Sequence, residues 1–279
     1  MRQPIALGAV QETMLITLYG RALAARDGGT LLHDPRAVDI VQALDYDFRR
    51  FADRARVLGS VLRTSMLDEM VRAFLTHFPC ATVVEIGAGL NARFERVDNG
   101  ALRWVDVDLP DAMRLRRRFF GDTSRRSMVA ASVTDSTWTD AAKSLGGPYL
   151  LLAEGVFGYL REEEVKEALA RIADTLPGAI LVFDISSSRS PTERRGRHVW
   201  PGLRARSGWT CEDPREVEAW GLGFRLLESR SMADLPLGQT LPFSVQCSLA
   251  LARILGWEIG AHRVNVYRAE GQRVSVGLA

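Results

Sequence analysis

A doubly wound α/β domain, with a mostly parallel sheet and an N-terminal helical cap, is what this 279-residue chain predicts. Three observations carry that expectation. The stretch Val83-Val84-Glu85-Ile86-Gly87-Ala88-Gly89-Leu90 runs two β-branched residues through a carboxylate into a Gly-x-Gly turn, as the first strand of such a sheet does where it meets its ligand loop. Downstream of it, short apolar runs alternate with segments of helical periodicity. Upstream, residues 11 to 78 show helical patterning only.

The elements follow in order. Met14, Leu15, Leu18 and Ala22 make one face of a first helix, which Gly28-Gly29 breaks. Asp34-Pro35 opens a second, with Asp34 as N-cap and Pro35 in the first turn, and with Ala37, Val38, Ile40, Val41 and Leu44 facing inward. A third spans Ser65 to His77 and ends at Pro79. These helices exceed what the sheet needs and are expected to lie over the mouth of the site, giving a cap of residues 1–78 and a sheet domain of residues 79–279. The first strand is Ala81 to Ile86, followed by a short helix from Asn91 to Arg96. The second strand, Leu102 to Asp108, is closed by Leu109-Pro110 and followed by an arginine-rich helix, Asp111 to Phe120. Arg114, Arg116, Arg117 and Arg118 read as its solvated face. Met128 to Ala131 supplies a third strand. Tyr149 to Ala153 is an unbroken apolar run, as in a strand buried on both faces, and leads into Glu154-Gly155. Val165, Leu169, Ile172 and Leu176 set a helix over Glu162 to Leu176, and Ala179 to Ile185 is the fifth strand. Residues 186–210 form a long basic loop carrying Arg189, Arg194, Arg195, Arg197, Arg204 and Arg206. A helix from Glu212-Asp213-Pro214 to Trp220 and a final antiparallel pair, Phe224 to Glu228 and Arg263 to Arg268, complete the domain.

Composition narrows the function classes. A hydrophobic fraction of 47% fills a large core, and a formal charge of +2 asks for no nucleic acid or other polyanion. No apolar window reaches the length of a membrane span, and the N-terminus has no signal core. Cys80, Cys211 and Cys247 are too scattered for a disulfide framework or metal cluster, so a reducing cytoplasm is expected.

In such folds a ligand sits outside the carboxyl ends of the strands. Three of those ends carry acids: Glu85, Asp108 and Glu154. Asp108 lies 19 residues after Gly89, the position from which a carboxylate takes both ribose hydroxyls of a nucleotide; Asp106 competes for the role. Gly87, Gly89 and Ala92 also fit the dinucleotide pattern G-x-G-x-x-A, but Glu85 and Glu154 would repel a pyrophosphate there. S-adenosylmethionine carries an ammonium and a sulfonium and no phosphate, so it is the expected cofactor. Glu154, at the end of an apolar run, would be costly unless such a cation paired with it, and unpaired it would tend to take up a proton.

Taken together, several stretches resemble the leucine carboxyl methyltransferase family, most closely its bacterial branch of tetracenomycin-type small-molecule O-methyltransferases. They are Glu12-Thr13-Met14-Leu15, His33 to Val38, Val84 to Phe94, Trp104 to Pro110 and Ala153 to Leu160. The resemblance implies a class I, Rossmann-like methyltransferase of a secondary metabolite. It implies that Gly87 and Gly89 line the methionine part, Asp108 holds the ribose, Glu154 binds the ammonium, and Ser132 and Val133 edge the adenine. It also implies that Arg63 pairs with the methionine carboxylate, with Arg54 and Arg56 as alternatives. Asn91 and Ser132 stand where the family often has aspartate.

Methyl transfer asks the protein to align an acceptor oxygen and keep it dry. A carboxylate acceptor needs no base; a phenol would use one, and His33 and His198 are the candidates. No metal is expected. The leading reading is an O-methyltransferase of a carboxylate or phenol on a small polyketide-type molecule, with self-association left open. Its rivals are methylation of a protein C-terminal carboxylate and a cofactor-binding protein put to a non-methylating use. A nicotinamide oxidoreductase is more distant.

Overall fold

Five residues with no water on either face, Thr82–Ile86, form the central strand, here β3. A computed structural model describes residues 3–28, 31–51, 53–187, 200–231 and 262–271, the side chains of residues 3 and 54–56 excepted. Around β3 lie β4 (Arg103–Asp108), β5 (Arg126–Ala130), β6 (Tyr149–Ala153) and β7 (Ile180–Ser186), all five parallel to one another. Two further strands, β8 (Phe224–Ser231) and β9 (His262–Ala269), close the sheet in the order β5-β4-β3-β6-β7-β9-β8. β9 runs antiparallel to both neighbours, as expected for an added C-terminal pair. Because the order reverses at β3 and β6, a crevice opens at their carboxyl ends, where the glycine loop and Glu154 emerge.

Both faces are covered. On one, Trp138 and Ala142 of α6 (Thr137–Leu145) and Val165, Ala168, Leu169 and Ile172 of α7 (Glu162–Thr175) pack on Val84, Leu151 and Leu181. On the other, Leu62, Met66, Leu67, Val71 and Leu75 of α3 (Arg54–His77), with Phe94 and Val97 of α4 (Arg93–Val97), pack on Val83, Trp104, Leu150 and Val182. A third apolar cluster joins α1 (Met14–Arg26), α2 (Pro35–Ala43), Phe48 and Phe51 to Leu90 and Ala92 beside the glycine loop. It extends to Met113 and Leu115 of α5 (Pro110–Arg116). The N-terminal helices are therefore divided in their packing: α1 and α2 meet the glycine loop, and α3 covers the sheet.

Several local expectations change. α3 begins at Arg54, eleven residues earlier than its apolar face suggested, since Gly59 and Ser60 hide its first turns from a periodicity reading. The two-residue strand β2 (Leu44–Asp45) lies within the segment read as purely helical, and pairs in parallel with β1 (Gln3–Pro4), which precedes that segment. α6 is an element that the linear reading does not include; its first turn, Thr137-Trp138-Thr139-Asp140, holds two β-branched threonines and one large apolar residue. The arginine-rich helix stops at Arg116, where Arg118 N–H turns back to Leu115. The helix read from Glu212 is one turn, α8 (Glu216–Ala219). Asp34 caps α2 as expected, accepting from the Ala37 N–H at 2.9 Å. No helix among the described residues is long and apolar enough to cross a membrane.

Candidate functional site

The glycine loop leaves β3 in a conformation only glycine adopts comfortably: φ is +69° at Gly87 and +49° at Gly89. A Cβ on Gly87 would stand 2.4 Å from Val156 Cγ2, and one on Gly89 would stand 3.1 Å from Met14 Cβ. The loop is thus confined between the Glu154-Gly155-Val156 corner and the start of α1. Its backbone is held from below. Gly87 and Ala88 N–H donate to Val107 C=O at 2.8 and 3.1 Å. Arg116, fully buried, donates to the carbonyls of Ala88 and Gly89, and Arg21 donates to that of Leu90 at 2.9 Å. Two buried guanidiniums therefore satisfy carbonyls that the turn leaves without strand partners.

Arg116 overturns the reading of its helix as a wholly solvated arginine face: it is 0% exposed, with Arg114, Arg117 and Arg118 outside. It lies 4.4 Å from the Phe120 ring centroid and donates to Asp106 at 2.9 Å.

The two competing aspartates separate cleanly. Asp106 is fully buried and accepts from Trp104 Nε1, Arg116 and Arg126, all inside the fold. Asp108 is partly exposed at the end of β4, and accepts the Gly89 N–H and its neighbour Leu109 N–H, each at 2.7 Å. Each of its oxygens keeps a further lone pair. Burial pushes its carboxyl up to about 6, against the pull of those two N–H groups.

Glu85 is not presented to a ligand. It is 1% exposed, and Oε1 accepts from Arg93 at 2.6 Å and Asn91 at 2.9 Å, while Oε2 is buried without a partner among the described residues. The repulsion expected between Glu85 and a pyrophosphate is consequently offset by Arg93. One guanidinium, Arg93, serves three carboxylates, since it also donates to Asp68 at 2.7 Å and Glu154 at 2.5 Å. Glu85 is the least well partnered of the three, and burial pushes it up to about 7 despite Arg93. Asn91 explains itself here: its amide donates to Glu85 and accepts from Arg96 at 3.0 Å, a bridge that an ionised aspartate cannot make.

Glu154 also departs from expectation. It is paired, not isolated: Oε1 accepts from Arg63 Nε at 3.1 Å and Thr64 Oγ1 at 2.8 Å, and Oε2 from Arg93. Burial alone would raise its proton affinity, but Arg93 and Arg63 outweigh that and hold it below the usual carboxylate range. A carboxylate offers about four acceptor positions, so one remains. Arg63 continues the chain to Asp184 at 2.9 Å, and Asp184 also accepts the Gly155 N–H and lies 3.3 Å from His262. The full path, Arg21–Asp34–Arg96–Asp68–Arg93–Glu154–Arg63–Asp184–His262, ties α1, the α2 cap, α3 and α4 to the ends of β6, β7 and β9.

Ser132 follows β5 in a tight turn, with its N–H donating to Asp135 at 2.7 Å and its hydroxyl 3.0 Å from that of Thr134; Val133 is buried in the core. His33 is exposed on the loop before α2. His198 and Arg189, Arg194, Arg195 and Arg197 lie outside the described residues, as do Cys247 and the side chains of Arg54 and Arg56. The residues that reading in one dimension missed are Thr64, Arg93, Asp184 and His262. Asp184 had a visible signal, a lone carboxylate inside the apolar run Ile180 to Ile185.

These acceptors fit an S-adenosylmethionine molecule. Carboxylates at the ends of β4 and β6 suit two hydroxyls and an ammonium.

Comparison with known proteins agrees. A family model described as leucine carboxyl methyltransferase matches residues 14–173. The chain is 34% identical over 238 residues to the tetracenomycin polyketide synthesis O-methyltransferase TcmP of Streptomyces glaucescens, covering 85% of this chain and 88% of that one. It is 26% identical over 254 residues to the S-adenosyl-L-methionine-dependent methyltransferase dpfgK of Gibberella zeae, covering 80% and 83%. A solved DUF574 family protein from Streptomyces avermitilis shares the fold, with a TM-score of 0.56 at 17% identity over 90% of this chain and 96% of that one.

Proposed function

The chain belongs to the leucine carboxyl methyltransferase family and is an S-adenosylmethionine-dependent methyltransferase; from that premise we propose that it methylates an oxygen, carboxylate or phenol, of a small polyketide-type metabolite. The observation that carries the site is the array of Gly87, Gly89, Asp108 and Glu154 along one edge of the sheet. In this reading Asp108 takes the ribose hydroxyls and Glu154 takes the methionine ammonium. Arg63, already set between Glu154 and Asp184, meets the methionine carboxylate. Ser132 and Val133 edge the adenine. Glu85 acts from beneath, fixing Asn91 and Arg93 and through them the loop.

When bound, the cofactor supplies an activated methyl group on a sulfonium. What the protein adds is order and dryness. Buried Arg116 and Arg21 fix the loop before any ligand arrives, so little is lost in arranging it. Met14, touching the loop at Gly89, and the cluster of α1 and α2 form the cap that excludes water from that end.

The test is direct. Calorimetry should give tight S-adenosylhomocysteine binding and weak NAD binding. Incubation with methyl-labelled donor and a panel of aromatic acids and phenols, followed by mass analysis, should show one added methyl. Cofactor binding without methylation of any panel member would favour the non-methylating reading.

A further inference from the structure

His262 begins β9, beside the end of β7, because the antiparallel register pairs it with Ser186. That places it on the same sheet edge as Glu154 and Gly155. Ser186 Oγ is 2.8 Å from His262 Nδ1 and 3.3 Å from Nε2. Asp184 Oδ2 is 3.3 Å from Nε2. The imidazole is 32% exposed, whereas Asp184 is 3% exposed. A buried carboxylate thus orients a histidine whose other nitrogen meets a hydroxyl, at a rim open to solvent.

The surroundings give this trio a defined proton arrangement. Asp184 is ionised: burial would raise its carboxyl, but Arg63, His262 and the Gly155 N–H hold it well below the ordinary range. It can then only accept, so Nε2 carries the hydrogen toward it. Nδ1 is left with a lone pair facing the Ser186 hydroxyl. Asp184 is also bound to Arg63, which holds the Glu154 carboxylate on its other side. The proton acceptor and the candidate methionine ligand are therefore fixed by one guanidinium.

Resting on the methyltransferase reading above, we propose that His262, with Ser186 as relay and Asp184 as its orienting carboxylate, is the catalytic base of this site, and that the acceptor is a phenolic hydroxyl. A carboxylate is already ionised at neutral pH and has no use for such a group; a phenol has. The phenolic oxygen forms its bond to the methyl carbon as the carbon–sulfur bond breaks, and that electron pair stays on sulfur. The phenolic proton passes to Ser186 Oγ as the serine hydrogen passes to His262 Nδ1. The resulting imidazolium faces Asp184 and returns its proton to water after the product leaves.

A chromophoric phenol, 4-nitrophenol, tests this with two readouts. The first is its ionisation when bound. Protein saturated with S-adenosylhomocysteine is titrated with the dye at a pH where the free dye is mostly protonated. The phenolate band should grow with the wild type, and not with His262→Gln; Ser186→Ala should give an intermediate response. The second is turnover to 4-nitroanisole with S-adenosylmethionine. His262→Gln should lower kcat on the order of a hundredfold, with S-adenosylhomocysteine affinity unchanged, and the deficit should shrink for more acidic nitrophenols. A purely structural histidine would not give that dependence on phenol acidity. The proposal is overturned if the dye fails to bind, binds without ionising, or ionises equally in His262→Gln. It is also overturned if 1-naphthoic acid is methylated and 1-naphthol is not. In each of these cases retained S-adenosylhomocysteine binding leaves the methyltransferase reading standing, whereas its loss in the wild type would remove that reading too.

Discussion

Asp108 and Asp106 stand two residues apart on β4 with the same side chain and different surroundings, and substitution should tell them apart. Asp108→Asn should weaken S-adenosylhomocysteine by about 2 kcal/mol, the scale of a lost charge-assisted contact, with little change in melting temperature. Asp106→Ala should instead lower stability by roughly 3–5 kcal/mol, because it strips Arg116 and Arg126 of a buried partner. Calorimetry and chemical denaturation separate the two outcomes. The pH dependence follows from the same residue. The Asp108 carboxyl binds its proton more tightly in the folded chain, at about 6, than at its ordinary 3.8. It therefore favours folding below the ordinary value and loses that contribution as pH rises through about 6. Ligand affinity should run the other way, strengthening as pH rises through about 6, because only the ionised carboxylate accepts two hydroxyls at full strength. In Asp108→Asn that rise should be absent. Glu154→Gln has an expectation that the structure reverses. An isolated carboxylate would have cost stability, and its removal would have raised the melting point. Paired with Arg93 and Arg63, its loss should lower the melting temperature of the ligand-free protein as well as weaken S-adenosylhomocysteine. A ligand-free melting point above the parent's would contradict the pairing.

At the scale of elements, the loop after β3 depends on two separate features of Gly87. Its φ of +69° is costly for any residue with a Cβ, and that Cβ would collide with Val156. Gly87→Ala should abolish measurable cofactor binding and lower stability by at least about 1 kcal/mol. Val156→Ala in the same chain removes the collision and leaves the backbone cost. Partial recovery of binding by the double variant, followed by calorimetry, is the expected result; full recovery would mean that the conformation carries no cost. α5 contributes through one residue, Arg116. Its burial is set by position, since Arg114, Arg117 and Arg118 share its chemistry and remain outside. Linear patterning shows an arginine-rich helix but not which arginine turns under the loop.

For the whole molecule, the packing of α3 decides how the chain can be divided. A boundary between residues 78 and 79 would remove Leu62, Met66, Leu67, Val71 and Leu75 from the face of the sheet, exposing Val83, Trp104, Leu150 and Leu152. It would also cut Arg63 and Asp68 from the charge path and leave Arg93 and Asp184 short of partners. A fragment of residues 79–279 should therefore fail to unfold cooperatively, seen as loss of a sharp thermal transition and binding of a hydrophobic dye. A cooperative, ligand-binding fragment would show that α3 is dispensable and that residues 1–78 are a separable cap.

The strand ends were legible in the sequence because a two-face-buried strand is written as a continuous apolar run, and because a carboxylate or Gly-x-Gly after such a run has few other uses. Hence the strand-end positions of Gly87, Gly89, Asp108 and Glu154, the parallel sheet and the cofactor class could be read without coordinates. The partners of those carboxylates could not. Arg63 is 91 residues from Glu154 and 121 from Asp184, and although Asp184 stands out as a lone carboxylate in an apolar run, nothing local pairs either acid with Arg63. Whether Glu154 is lone or paired, whether Glu85 faces a ligand or the core, and whether His262 meets Asp184 are settled by which elements the fold brings together. Coulomb energy depends on distance and burial, and a linear sequence specifies neither until the sheet order is fixed.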